Sequence, residues 1–287
     1  MQTSTERQSV LVPESGAIDL HGEPWQLRMF RRSLKKQQKL QALLSVLGEV
    51  VDQRGLLVTY GDNNGALNWN FREQGGTWTW ADLSEDNLET MASLLGEPVE
   101  HLVGDTLPFS EGQFDVVVCI DVLEHLTGDQ PFLSQLYRVL KPGGRLVVTV
   151  PNGDSRLLAN RIKWLIGMRP HIYGHTRAGY TMSELCESVG RARLEPIRES
   201  SYSGFFTEMI ELVLNYGYVF VLARKKEVAH GHIAPTSSGE LRQHGAAYRI
   251  YSLAYPLMRW LSQLDRLLPA TTYHAVVVVG QKRAKDG

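Results

Sequence analysis

Residues 104–126, GDTLPFSEGQFDVVVCIDVLEHL, and residues 137–152, YRVLKPGGRLVVTVPN, decide the fold of this chain. The first stretch contains the uninterrupted apolar run VVVCI, and the second contains LVVTV, which is apolar except for Thr149. Such a run predicts a strand covered on both faces, because a half-exposed strand would alternate apolar and polar residues. Between the two runs, PFLSQLYRVLKPGG predicts an amphipathic helix that is closed by Pro142, Gly143 and Gly144. This order of elements indicates a parallel sheet.

The same alternation of strands and helices extends in both directions from these segments. We predict strands at 56–60, 78–82, 101–104, 115–120 and 145–150, a sixth near 193–200, and a last one in HAVVVVGQK. Helical segments separate the first five strands, which predicts a doubly wound α/β fold with helices on both faces. A ligand of such a sheet lies at the carboxyl ends of the strands, near the topological switch point.

This pattern divides the chain into four parts. They are an N-terminal arm at 1–26, a core at 27–204, a helical insertion at 205–268, and the final strand and tail at 269–287. The insertion holds two apolar helical stretches and is a candidate lid, dimer face or membrane-surface element. The first helix carries six basic residues without an acid, which is typical of a solvated face and also suits an anionic membrane. These are Arg28, Arg31, Arg32, Lys35, Lys36 and Lys39.

Composition excludes several classes of protein. The net charge of -1 gives no reason to expect a nucleic-acid partner. Cys119 and Cys186 lack CxxC spacing, so neither a disulfide framework nor a zinc site is predicted. The first residues lack the pattern of a signal peptide, and no apolar run is long enough to span a bilayer. We expect a cytoplasmic protein, with peripheral contact to the inner face of the membrane as the alternative.

The loop YGDNNG at 60–65 follows the first strand. Gly61 and Gly65 allow a ligand to approach the backbone, and the next helix offers N–H groups, although a purely structural turn would look the same. Asp82 ends the second strand, where it can accept hydrogen bonds from ribose hydroxyls or cap the following helix. After the third strand, Asp105 and the amide of Thr106 can face an adenine ring or form a surface turn.

Taken in order, these segments resemble the class I S-adenosylmethionine-dependent methyltransferases over about residues 55–200. The matching segments are YGDNNG, WADLS, GDTLPFSEGQFDVVVCIDVLEHL and YRVLKPGGRLVVTVPN, and the last two are the specific ones. The resemblance implies S-adenosylmethionine as the cofactor. It also implies a seven-stranded sheet whose last strand is antiparallel, which the closing run HAVVVVGQK fits.

The resemblance assigns cofactor-binding roles position by position. Gly61 and Gly65 match the outer glycines of the loop, Asp82 the ribose acid, Asp105 the adenine acid, and Asp121 the methionine end. The other predicted cofactor-binding residues are Thr59, Asn63, Leu83 and Thr106.

Two positions depart from the family pattern. Thr59 stands where the family has an acid, and it can hydrogen-bond but offers no charge. Asn63 replaces the middle glycine, and asparagine tolerates the left-handed backbone conformation. These departures support an alternative hypothesis, a non-catalytic methyltransferase-like scaffold or binding protein. A nicotinamide dehydrogenase is disfavoured because the loop lacks the G-x-G-x-x-G fingerprint.

The segment DVLEH holds the candidate catalytic residues. One helical turn would gather Asp121, Glu124 and His125 on one face. They could start and pack a helix, His125 could act as a general base, or the three could hold a divalent cation. The arrangement D/E-x-x-E-H resembles metal-using O-methyltransferases that act on catechol-like quinone precursors and RNA ribose ends. His175, in the loop HIYGHTRAGYT, is the best second histidine, and that loop could equally be anchored by its aromatic residues.

The functional hypothesis is methyl transfer from S-adenosylmethionine. Alignment of nucleophile, methyl group and sulfur can supply roughly 7–11 kcal/mol, and an oxygen nucleophile also needs a base. The stretches RSLKKQQKL and GHTRAGYT are similar to methyltransferases found among surface-polysaccharide and lipid biosynthesis enzymes. We therefore expect the acceptor to be an oxygen of a bulky amphipathic molecule, linked to a glycan or a lipid. A homodimer is a further expectation for the insertion.

Overall fold

The computed structural model describes residues 23–61, 64–104, 106–217 and 245–284. Two predicted cofactor residues, Asn63 and Asp105, lie outside the described residues. So do most of the predicted N-terminal arm and part of the predicted insertion.

Seven strands form a single sheet in the order β3-β2-β1-β4-β5-β7-β6. They are β1 (Arg54–Thr59), β2 (Thr77–Asp82), β3 (Val99–His101), β4 (Phe114–Ile120), β5 (Leu140–Pro151), β6 (Leu194–Tyr202) and β7 (Ala275–Lys282). The first five strands pair in parallel, and β7 runs antiparallel to both β5 and β6. The predicted fold is confirmed, including the antiparallel last strand and the helical insertion before it.

Helices cover both faces of the sheet. They are α1 (Trp25–Phe30), α2 (Leu34–Leu47), α3 (Ala66–Arg72), α4 (Leu88–Leu95), α5 (Asp129–Val139), α6 (Leu158–Leu165), α7 (Met182–Arg191), α8 (Phe205–Gly217) and α9 (Gly245–Ser262). Side chains of α2, α3 and α4 join one buried cluster with Leu57, whereas α5 and α7 join the other with Leu56 and Val58. This alternation along β1 explains why its residues are apolar on both faces. None of the described helices is both long and apolar enough to cross a bilayer.

Two boundaries differ from the sequence prediction. The third strand occupies Val99–His101 instead of 101–104. The helix before β5 ends at Val139 and the strand begins at once, so KPGG belongs to the strand. The reason is packing: a Cβ on Gly144 would lie 2.9 Å from the carbonyl oxygen of Lys141 and 3.0 Å from that of Asp115. Glycine therefore lets β5 approach β4 closely.

Candidate active site

A cleft of about 660 Å³ lies at the carboxyl ends of the strands, a volume typical of small-molecule sites. Its walls come from the loops after β1 and β2, from the turn after β4, and from helices α2 and α8. The residues that line it include Lys36, Lys39, Tyr60, Gly61, Leu83, Ser84, Asp121, Glu124, His125, Tyr173, His175, Glu211 and Asn215. The parallel sheet therefore places its cleft where the topology predicts it.

The loop after β1 depends on two glycines in the left-handed conformation. Gly61 has φ +64° and lines the cleft. Gly65 has φ +88° and precedes α3, and a Cβ at this position would lie 3.2 Å from the Cα of Met91. Gly65 therefore serves the packing of α3 on α4, while Gly61 offers its backbone to the cleft.

Asp82 anchors this loop from the end of β2. The side chain is completely buried, and its Oδ1 accepts hydrogen bonds from the amides of Gly61 at 2.9 Å and Ser84 at 2.7 Å. The hydroxyl of Thr59 donates to Oδ2. Burial raises the pKa of Asp82 above its ordinary value, against the opposing effect of these hydrogen bonds. Since a carboxylate has about four acceptor positions, one remains on Oδ2.

These features fit the adenosine part of S-adenosylmethionine. Gly61 brings the backbone of the loop to the cleft, and the cleft has sufficient volume. Asp82 has no exposed surface and is not among the residues that line the cleft, so in this structure it holds the loop from behind and does not face the ligand space. Leu83 lines the cleft, whereas Thr59 turns its side chain towards Asp82. Thr106 is exposed and does not belong to the described lining.

The DVLEH segment forms a tight turn in place of the expected helical turn. Asp121 has φ +51°, and the amide of His125 donates to the carbonyl of Val122 at 3.0 Å. Glu124 points inward and is fully buried, and neither carboxyl oxygen has a hydrogen-bond partner among the described residues. Burial, followed by the charge of Asp121, raises the pKa of Glu124 well above its usual range. A buried carboxyl group without partners is costly, which makes Glu124 a candidate functional residue.

Two histidines lie beside Glu124. The ring of His125 stacks on Tyr60 with centroids 4.1 Å apart and meets His175 edge-on at 4.7 Å. The Nδ1 of His125 lies 3.1 Å from the carbonyl oxygen of Gly174. Because a carbonyl only accepts, Nδ1 carries the hydrogen in this bond and Nε2 carries the lone pair. One ligand atom from each of Glu124, His125 and His175 lies within 4.8 Å of the other two.

Thr176 brings the His175 loop to this turn. Its amide donates to the carbonyl oxygen of Glu124 at 2.8 Å, and its hydroxyl donates to that of Leu126 at 2.8 Å. Sequence reasoning missed this residue, and its only signal was the position directly after His175. The loop and the turn are thus joined through backbone atoms that sequence spacing does not reveal.

Lysines of α2 complete the opposite wall. Lys39 is 6% exposed and forms an ion pair with Asp121. The expectation of a solvated basic face therefore fails for Lys39. Asp121 was a member of the predicted metal-binding alternative; the structure pairs it with Lys39, and His175 joins Glu124 and His125.

Glu208 of α8 connects three elements around the cleft. It is fully buried, and it binds Lys35 of α2 at 2.7 Å, Lys163 of α6 and the hydroxyl of Ser203. Burial opposes the charged form, but the two lysines outweigh it and hold the pKa of Glu208 far below its ordinary value. This network fixes the insertion helix α8 to the N-terminal helix α2.

Comparisons with known proteins agree with this geometry. Residues 58–148 match the family described as a methyltransferase domain. The chain is 26% identical over 186 residues to the ubiquinone biosynthesis O-methyltransferase of Idiomarina loihiensis, covering 58% of this chain and 72% of that protein. It is 32% identical over 114 residues to a ubiquinone/menaquinone biosynthesis C-methyltransferase of Cereibacter sphaeroides, covering 37% of this chain and 46% of that protein. The chain therefore spans less than half the length of the second relative.

A solved structure shows the same fold. The S-adenosylmethionine-dependent methyltransferase from Mesorhizobium loti superposes with a TM-score of 0.50 at 15% identity, covering 84% of this chain and 96% of that one. At this identity the likeness concerns the fold alone. The family match covers the region that contains the loop after β1, Asp82 and the DVLEH turn. The sheet order, the cleft and the family match over residues 58–148 together support a class I S-adenosylmethionine-dependent methyltransferase.

Proposed function

We propose that this enzyme transfers the methyl group to an oxygen atom of a bulky amphipathic molecule that is linked to a lipid or a glycan. The observation that supports an oxygen acceptor is the cluster of Glu124, His125 and His175 beside Asp121 in the cleft. A hydroxyl group must lose its proton to become a good nucleophile, and this cluster supplies groups that can remove or stabilise that proton.

The bound cofactor supplies an electrophilic methyl group on a sulfonium. The chain must then align the acceptor and exclude water. The Nε2 lone pair of His125 can accept the hydroxyl proton, since its Nδ1 hydrogen is donated to Gly174. His175 meets the same ring edge-on, so both imidazoles are held in fixed orientations. Thr176 positions this arrangement through the carbonyl oxygen of Glu124.

The same cluster suits a divalent cation. The buried carboxylate of Glu124 has no hydrogen-bond partner among the described residues, so a cation would satisfy it. One carboxylate and two imidazoles favour a transition metal such as Mn²⁺ or Zn²⁺ over Mg²⁺, which prefers oxygen ligands. Glu124, His125 and His175 would hold the ion, and it would supply polarisation of the acceptor hydroxyl.

The acceptor class is supported by the relatives and by the residues that line the cleft. Two relatives are named for ubiquinone biosynthesis, one as an O-methyltransferase and the other as a C-methyltransferase. The lining of the cleft includes the polar side chains of Lys36, Glu211 and Asn215. Such a lining suits the polar head of an amphipathic acceptor.

The test is the position of a transferred label. The purified chain is incubated with methyl-labelled S-adenosylmethionine and an extract of amphipathic lipids. NMR of the product then identifies the atom that carries the labelled methyl group. We expect an O-methyl product, and a methyl group on carbon or nitrogen would overturn the proposal. His175→Ala should reduce turnover at least tenfold, whereas His171→Ala, an exposed histidine of the same loop, should not. Calorimetry with S-adenosylmethionine checks the cofactor separately, and a scaffold without cofactor would give no heat.

A chelator separates the two roles of the cluster. Loss of turnover in chelator, restored by Mn²⁺ or Zn²⁺, would identify the cation role. Full turnover in chelator would eliminate it and leave His125 as the base.

A further inference from the structure

A second groove lies on the far side of α2 from the cleft. It has a volume of about 360 Å³ and is formed by α2 together with the end of α9 and the turn after it. Its lining holds two arginines and several glutamine amides and contains no carboxylate. The lining residues are Leu34, Gln37, Gln38, Gln41, Pro256, Arg259, Trp260, Ser262, Gln263 and Arg266.

The two arginines are not neutralised by nearby acids. Neither Arg259 nor Arg266 has a carboxylate within ion-pair distance in the described part of the chain, and both are exposed. By contrast, Arg31 is paired with Glu23 and Arg191 with Glu187. Two guanidinium groups without a carboxylate in ion-pair distance match the charge and geometry of a phosphate group. The side-chain amides of Gln37 and Gln38 donate to groups inside the protein, so the arginines supply the charge complementarity.

Exposed apolar side chains adjoin the groove. Leu253, Leu257 and Trp260 follow one another at i, i+4 and i+7 on α9, so they share a face of the helix. Their exposed fractions are 83%, 61% and 62%. Leu267, after the helix, is 80% exposed. We call these four residues the α9 stripe. Leucine and tryptophan beside arginine are the composition of a surface that enters the headgroup region of a bilayer.

We propose that the groove and the α9 stripe bind an anionic phospholipid bilayer. Lipid phosphates contact Arg259 and Arg266, while the stripe enters the boundary between headgroups and acyl chains. This proposal rests on the proposed function, because an enzyme with a lipid-linked acceptor would meet that acceptor at the bilayer surface.

Helix α2 connects this surface to the cleft. Lys36 and Lys39 line the cleft, whereas Gln37, Gln38 and Gln41 line the groove. A helix is only about 10–12 Å across, so the groove lies within one helix diameter of the cleft wall. A bilayer bound at this surface would place its lipid headgroups next to the cleft.

Vesicle binding of the full chain tests the proposal. Co-sedimentation is measured with vesicles of phosphatidylcholine alone and with an equal mixture of phosphatidylcholine and phosphatidylglycerol. We expect binding to the mixed vesicles only, weakening as salt rises and shortens the range of the attraction. No binding, or equal binding to both vesicles, would overturn the proposal.

Variants assign the binding to this surface. Arg259→Gln with Arg266→Gln should weaken binding about 25-fold, at about fivefold for each basic residue. The matched control, Arg54→Gln with Arg191→Gln, removes two charges at other exposed positions and should leave binding unchanged. Leu257→Ser with Trp260→Ser should also weaken binding, and both residues are exposed enough to be replaced without harm to the fold. Equal binding by the arginine pair and its control would overturn the assignment.

Other occupants of the surface give different results. Thermal stabilisation by inorganic phosphate without vesicle binding would identify a free-anion site. A concentration-dependent dimer that is lost in Leu257→Ser with Trp260→Ser would identify a second copy of the chain. Either result overturns the bilayer proposal. Calorimetry with the cofactor and methyl transfer in detergent do not use vesicles, so their failure and the failure of vesicle binding are distinguishable.

Discussion

The hydroxyl of Thr59 donates a hydrogen bond to the carboxylate of Asp82 and so joins the ends of β1 and β2 behind the cleft. The two residues are also direct partners in the sheet. An acid at position 59 would place a second carboxylate against a buried one, whereas a hydroxyl stabilises it. At Thr59, where the family has an acid, this chain therefore gains a hydrogen bond to Asp82.

Asp82→Ala should weaken binding of S-adenosylmethionine, because the amides of Gly61 and Ser84 lose their shared acceptor and the loop loses its anchor. Asp82→Asn keeps the shape and removes the charge, for which we expect about a tenfold loss of affinity. Thr59→Val is the matched control and should change affinity by less than about threefold, since the acceptors on Asp82 remain. Calorimetric titration measures all three. An unchanged affinity in both Asp82 variants would remove this residue from the cofactor site.

Thr176→Val should lower kcat about tenfold or more and leave cofactor affinity unchanged. Valine keeps the side-chain volume and the hydrogen bond from the backbone amide to the carbonyl oxygen of Glu124. It removes the hydroxyl that donates to the carbonyl oxygens of Glu124 and Leu126. Small displacements of positioned groups cost large factors in rate. Thr272→Val is the control, because its hydroxyl bonds a carbonyl in an exposed turn. Equal kcat in the two variants would show that Thr176 does not position His175.

Glu208→Gln should destabilise the fold by about 3–5 kcal/mol, because it leaves Lys35 and Lys163 buried without their shared counter-charge. Urea unfolding measures the loss. Glu187→Gln breaks an exposed pair with Arg191 and should cost less than about 0.5 kcal/mol. A loss below about 1 kcal/mol for Glu208→Gln would contradict the structural role assigned to this network.

His274 should make the stability depend on pH. Its ring is buried, neither nitrogen has a hydrogen-bond partner among the described residues, and burial lowers its pKa to about 4. The unfolded chain binds this proton near pH 6.5, so it holds more protons than the folded chain between pH 6.5 and about 4. Stability contributed by the neutral ring is therefore present above pH 6.5 and is lost as pH falls towards 4.

His274→Leu isolates this effect. The difference in unfolding free energy between the variant and the parent chain should grow in favour of the variant as pH falls through this window, by up to about 3 kcal/mol. A difference that is independent of pH would show that His274 does not titrate on unfolding.

The sheet was predictable because its signals are local. Runs such as VVVCI carry the burial of both faces in consecutive residues, and Asp82 follows directly from the end of one run. The cleft wall was not predictable, because it depends on contacts between distant residues. In the sequence, Lys39 belongs to a basic run that is typical of a solvated face. Only the structure shows that it forms an ion pair with Asp121. Glu208 and Glu211 interrupt an apolar stretch, and nothing local indicated that two lysines from other helices contact Glu208.

The buried network at Glu208 also sets the order in which the enzyme can be completed during synthesis. Lys35 leaves the ribosome early, but its counter-charge on α8 emerges only after the first six strands have been made. Until then strands β1 to β5 and the loop after β1 are present without α8, one of the two helices of the cleft wall. A fragment limited to the matched region, residues 58–148, would lack both helices that form this wall.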